Sequence, residues 1–101
     1  MPITWSQEEG KLVAAVSGEV DHHAARTLLG ELNRQLNAVL PRHLILDLGG
    51  VTFMDSSGIA LVLRSWKQMG ELEGAMELRA VPVQAAKVLR AAGVDRLIPF
   101  P

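Results

Sequence analysis

Along this chain the spacing of apolar residues switches repeatedly between the two-residue period of a strand and the ~3.6-residue period of a helix, and few folds accommodate that order. Ile3, Trp5 and Gln7 share one side of an extended segment, Glu9-Gly10 supplies a turn, and Lys11 to Ser17 alternates again. The two segments read as an opening hairpin. Asp21 then stands where a carboxylate accepts the free N–H groups of a first helical turn, and Ala25, Leu28, Leu29, Leu32 and Leu36 form one helical stripe that ends at Pro41. His43 to Leu48 is a short, nearly continuous apolar run, the pattern of a central strand covered on both faces, and Gly49-Gly50 is expected to break it.

A second helical stripe follows, with Ile59, Val62, Leu63, Trp66 and Met69 expected inside and Arg64, Lys67 and Gln68 in water. From Gly74 the period returns to two, with Met76, Leu78 and Ala80 inward. Pro82 suits the start of a third helix striped by Ala85, Val88, Leu89 and Ala92, and Gly93 suits its end. Leu97-Ile98 is read as an optional last strand, limited by Pro99 and Pro101. The order β-β-α-β-α-β-α(-β) predicts an α/β fold: a mixed β-sheet with packed helices. The chain's 101 residues fit one domain, 1–101.

Composition removes several functions. There is no cysteine, so thiolate metal sites, cysteine nucleophiles and disulfides are excluded. Ten basic residues against 11 acidic give a formal charge of −1, without the basic face that a duplex-binding module carries. With aromatics at 4% and no tyrosine, a stacking platform for bases or sugars is not expected. The apolar runs fall short of the ~20 residues a bilayer span needs, and Met1 to Trp5 shows no leader pattern. A cytoplasmic protein without direct nucleic-acid or membrane partners is expected, free of cofactors.

The most informative stretch is Asp55-Ser56-Ser57-Gly58, a small polar cluster between the end of the central strand region and a strongly amphipathic helix. Sites of open α/β sheets collect at the carboxyl ends of strands. A serine at a helix start lies near unpaired backbone N–H groups and the positive end of the helix dipole, so a phosphate on it is locally stabilised. It also adds about 1.5–2 negative charges beside Asp55. The simpler reading is that Ser56 or Ser57 is only an N-cap, although Ala60 stands where a capping box needs Glu or Gln. His22 and His23 are adjacent and do not share a helical face, which makes them poor joint metal ligands. The hydrolase elbow Gly-x-Ser-x-Gly is absent around Ser57, and Gly49-Gly50 fits no phosphate-loop spacing. A non-enzymatic protein is expected.

Leu48-Gly49-Gly50-Val51-Thr52-Phe53-Met54-Asp55-Ser56-Ser57-Gly58-Ile59 resembles the signature of bacterial anti-sigma factor antagonists, the STAS-domain proteins. Gly18 to Ala25 resembles their earlier segment, its Asp21-His22-His23 resembling a sporulation branch, and Ala91 to Phe100 resembles their closing helix and strand. Val20, Ala24 and the glycine pair depart from the commoner choices. The resemblance implies a regulator of transcription whose unmodified form binds an anti-sigma factor that is also a serine kinase using ATP, freeing a sigma factor. It implies that the kinase phosphorylates Ser57 and so weakens the complex, and that a PP2C-type phosphatase resets it. Asp21, His22, His23, Asp55, Ser56, Ser57 and Gly58 are then the implied partner-binding residues, and the free protein is expected to be a monomer. An antagonist in a general-stress pathway, a stressosome-like component, and a detached module serving lipid or anion transport are the alternatives.

Overall fold

The first two strands, β1 (Ile3–Glu8) and β2 (Lys11–Val20), form the expected antiparallel hairpin. Its two-residue loop has positive φ at both Glu9 and Gly10, the geometry whose twist matches flanking strands. The computed structural model describes residues 2–101. After the hairpin come α1 (His22–Val39), β3 (His43–Met54), α2 (Ser57–Glu71), β4 (Ala75–Arg79) and α3 (Val83–Ala91). The four strands lie in sequence order, with β2–β3 and β3–β4 parallel. Each parallel pair is joined through a helix, as parallel pairing requires.

Leu12, Ala14, Val16, Leu44, Leu46, Leu48 and Leu78 point to one face of the sheet and form a single core with the buried stripes of all three helices. Leu28, Leu32 and Leu36 of α1 are completely buried, and each contributes about 1.5–3 kcal/mol by leaving water. The α2 stripe is rotated from expectation: Gly58, Leu61, Val62, Ser65 and Met69 are buried, Ile59 and Leu63 only partly so, and Trp66 is 39% exposed. Ser65 enters the core because its hydroxyl donates to Leu61 O at 2.8 Å, which leaves no polar group unpaired.

The glycine pair does not end β3. The strand runs through Gly49 and Gly50 to Met54, with Gly50 paired to Ser17. A Cβ at Gly50 would lie 2.9 Å from Ser17 Cβ, so this glycine permits close strand approach and is not a break. The closing segment also differs from expectation. Gly93 takes φ 78 as the αL residue after α3, and Val94–Arg96 forms a 3-10 turn in place of a strand. Ile98 is buried against the core through this turn, and Ala80, expected inward, is exposed in a left-handed conformation beyond β4.

Among the described residues no helix covers the opposite face of β3, contrary to the expected double covering; all three helices contribute to the one core. Val13 and Ile45 are nevertheless buried there, on the two middle strands. Charged side chains roof them. Arg79 on the β4 edge reaches Glu8 on the β1 edge through two bonds of 2.8 and 3.1 Å, and its Nε lies 3.1 Å from Asp47 Oδ2. Beside this strap, Glu77 Oε1 sits 3.1 Å from His43 Nε2 and 3.7 Å from Lys11 Nζ. Sheet twist draws diagonal corners together, which lets a link run from edge to edge.

Candidate functional site

Val20 and Met54 are register partners at the carboxyl ends of β2 and β3, and Asp55 N–H donates to Val20 O at 3.2 Å. The two chain segments therefore leave the sheet side by side, one through Asp21 into α1 and the other through Asp55 into α2. Both residues are aspartates, and both cap. Asp21 is the N-cap of α1, its Oδ1 accepting from Ala24 N–H at 2.9 Å. Asp55 stands one position farther out, before the N-cap Ser56, and its Oδ1 accepts from Ser57 N–H at 2.7 Å.

This geometry changes two expectations. Neither serine is a side-chain cap: Ser56 occupies the N-cap position with φ −61 and ψ −19 and makes no side-chain cap bond. The donors at the start of α2 are also already engaged. Ser57 N–H is held by the Asp55 carboxylate, Gly58 N–H by Asp55 O at 3.0 Å, and Ile59 N–H by Ser56 O at 3.1 Å. The helix dipole remains, but the N–H groups of Ser57, Gly58 and Ile59 are not free as expected. Ser56 is exposed and Ser57 half-buried, and the Ser57 hydroxyl has no hydrogen bond within the described residues.

The turn is held rigidly from beneath. Gly58 is buried, and a Cβ there would stand 2.4 Å from Met54 Cγ and 2.6 Å from its Sδ, so only glycine lets α2 begin this close to β3. From the other side, Gln84 near the start of α3 takes both backbone groups of Met54: its Nε2 donates to Met54 O at 2.7 Å and its Oε1 accepts from Met54 N–H at 2.8 Å. The amide serves as a surrogate strand neighbour for the last residue of β3. Nothing local in the sequence marks Gln84 for this role.

Ser57 opens into a cleft of about 160 Å³ between the first turns of α1 and α2, lined also by His22, Arg26, Ala60, Leu61 and Arg64. Arg26, Leu29 and Arg64 continue from it into an open groove of about 800 Å³ along the two helices. His22 therefore meets Ser57 across the cleft, whereas His23, exposed on the same turn, does not line it. Arg26 and Arg64 are site residues the sequence reading missed; Arg64 was expected only to face water. Among the described residues, no three His, Cys, Asp or Glu side chains come together as metal ligands, and no helix is long and apolar enough to cross a membrane.

The sequence pattern of the STAS domain matches residues 3–101. The anti-sigma F factor antagonist of Paenibacillus polymyxa is 26% identical over 99% of this chain and 86% of its own length. Among solved structures, an anti-sigma factor antagonist from Mycobacterium paratuberculosis superposes with a TM-score of 0.82 at 24% identity, covering 96% of this chain and 81% of that one. The Bacillus cell fate determinant SpoIIAA, in its phosphorylated form, superposes at 0.73 with 23% identity, covering 95% and 87%.

Proposed function

The chain belongs to the STAS-domain family, and from that premise we propose that it is an anti-sigma factor antagonist switched off by a phosphate on Ser57. The observation that carries this reading is the Ser57 hydroxyl itself. It makes no hydrogen bond among the described residues and sits on a turn fixed by Asp55, Gly58 and Gln84, so a kinase meets a nucleophile that is already positioned. Relatives named as anti-sigma factor antagonists point the same way.

In this reading the unmodified protein, a cytoplasmic monomer, presents Asp21, His22, His23, Asp55 and Ser56 with Ser57 to an anti-sigma factor that is also a serine kinase, while Gly58, expected among the partner-binding residues, is buried and acts only by seating the turn. Ser57 Oγ attacks the γ-phosphorus of ATP held by that partner. The Oγ–P bond forms, ADP leaves, and the hydroxyl proton passes to a base of the kinase. A dianion in a fitted interface must be desolvated and opposes the Asp55 carboxylate. A hundred- to thousandfold loss of affinity corresponds to about 3–4 kcal/mol, within reach of those two effects. A PP2C-type phosphatase restores the hydroxyl. Asp21-His22-His23 favours a sporulation pathway over a general-stress one.

The test is incubation with the purified anti-sigma factor and Mg-ATP, followed by peptide mapping. One phosphate on Ser57, with loss of the complex on gel filtration, is the expected result. A phosphate elsewhere, or a complex that survives modification, overturns the proposal.

A further inference from the structure

Resting on the reading of Ser57 as the modified serine, we propose that its phosphate turns into the cleft between α1 and α2 and is held there by Arg26 and Arg64, with His22 adding a ring N–H donor. A new phosphoserine needs partners, and the first three backbone donors of α2 do not supply them. The N–H groups of Ser57, Gly58 and Ile59 are already taken. The Asp55 carboxylate bonded to Ser57 N–H also repels a dianion from that side.

The cleft offers the opposite. His22 and Arg26 lie one turn apart on α1, and Ser57, Ala60 and Arg64 line the same cleft from α2. Helical side chains lean toward the N-terminus, so Arg64 leans back along α2 toward Ser57. Ala60, between them, leaves room. No carboxylate lines the cleft, and neither arginine has an ion-pair partner among the described residues. Two unpaired guanidiniums facing a serine form a ready anion site, because guanidinium pairs bidentately with phosphate oxygens. Modification thus has a second consequence besides repulsion: it pins α1 to α2 and withdraws both arginines from the surface a partner meets.

The test installs phosphoserine at position 57 during translation, in the otherwise wild-type chain and in Arg26→Gln, Arg64→Gln and the double variant. The phosphate is titrated by ³¹P NMR. Neighbouring cations favour the dianion, so the wild-type second pKa should lie about one unit below that of the double variant, with the single variants between. Phosphoserine at exposed position 56 is the reference and should not respond to either arginine. The phosphate should also raise the melting temperature of the wild-type chain more than that of the double variant. Equal titration of wild type and double variant, or a reference that shifts equally, overturns the inference. Because no kinase is used, this outcome is independent of the kinase assay; a Ser57 that accepts no phosphate from the kinase overturns the proposed function alone.

Discussion

On the open face of the sheet Arg79 is gripped by two carboxylates, Glu8 and Asp47, while across the molecule Arg26 and Arg64 have no ion-pair partner among the described residues. The paired side is structural. Its ions roof Val13 and Ile45 and tie the first strand to the last, and each favours the other's charged form: the Arg79 guanidinium bonded to Glu8 holds its carboxyl below the ordinary value, and Glu8 and then Asp47 push Arg79 up. The unpaired side costs the fold little, because exposed arginines stay hydrated, and it leaves positive charge available beside a free hydroxyl. Pairing state, more than charge count, separates the surface that holds the fold from the surface proposed to take the phosphate.

The largest expected effect breaks the unpaired side. Ser57→Ala should melt with wild type, since the hydroxyl bonds none of the described residues, yet take up no phosphate from the kinase while still binding it; intact mass and a melting curve on one sample decide this. Retained phosphate uptake would move the site to Ser56 or beyond. Next comes Gly58→Ala. Alanine in a helix ordinarily stabilises, but here its Cβ drives into the Met54 side chain, which is fully buried, so a loss of about 1–3 kcal/mol in denaturant unfolding is expected. A stabilised variant would show that the turn is not held by this contact.

Asp21 sharpens the comparison, because it has both a structural bond and a place beside the cleft. Asp21→Ala should cost about 1 kcal/mol through loss of the Ala24 cap. Asp21→Asn should restore that stability, and if the charge meets the partner it should leave phosphorylation of Ser57 slowed. Full recovery of the rate with Asn would make Asp21 a cap only. The smallest effect belongs to the paired side. Because the carboxyl of Glu8 is depressed in the folded state, its contribution is present above the ordinary value of 4.5 and is lost as pH falls through the lower folded value. Thermal melts should therefore show slightly less loss of stability on acidification below pH 4.5 for Glu8→Gln than for wild type. Identical acid slopes would show that the strap adds nothing to stability in acid.

Much of the fold was legible because its signals are local. The Glu9-Gly10 turn, the Asp21 cap, the αL residue Gly93 and the leucine stripe of α1 each depend on residues within a turn or two of one another. The same local rules misplaced Gly49-Gly50, Trp66 and Leu97-Ile98. A glycine pair that ends a strand and one that lets Ser17 approach look alike in sequence, and the rotation of α2 is set by what it packs against. At the site, the serine-bearing turn Asp55-Ser56-Ser57-Gly58 could be located from its neighbours alone.

What the sequence by itself determined is the order of elements, the apolar stripes and the serine-bearing turn, because periodicity and capping are properties of contiguous residues. Only the tertiary structure decided that Asp21 and Asp55 leave the sheet together, that Gln84 completes the end of β3, and that Arg26 and Arg64 line one cleft with Ser57. Those groupings join residues tens of positions apart, and their geometry follows from strand register and helix packing, for which no single residue carries a signal.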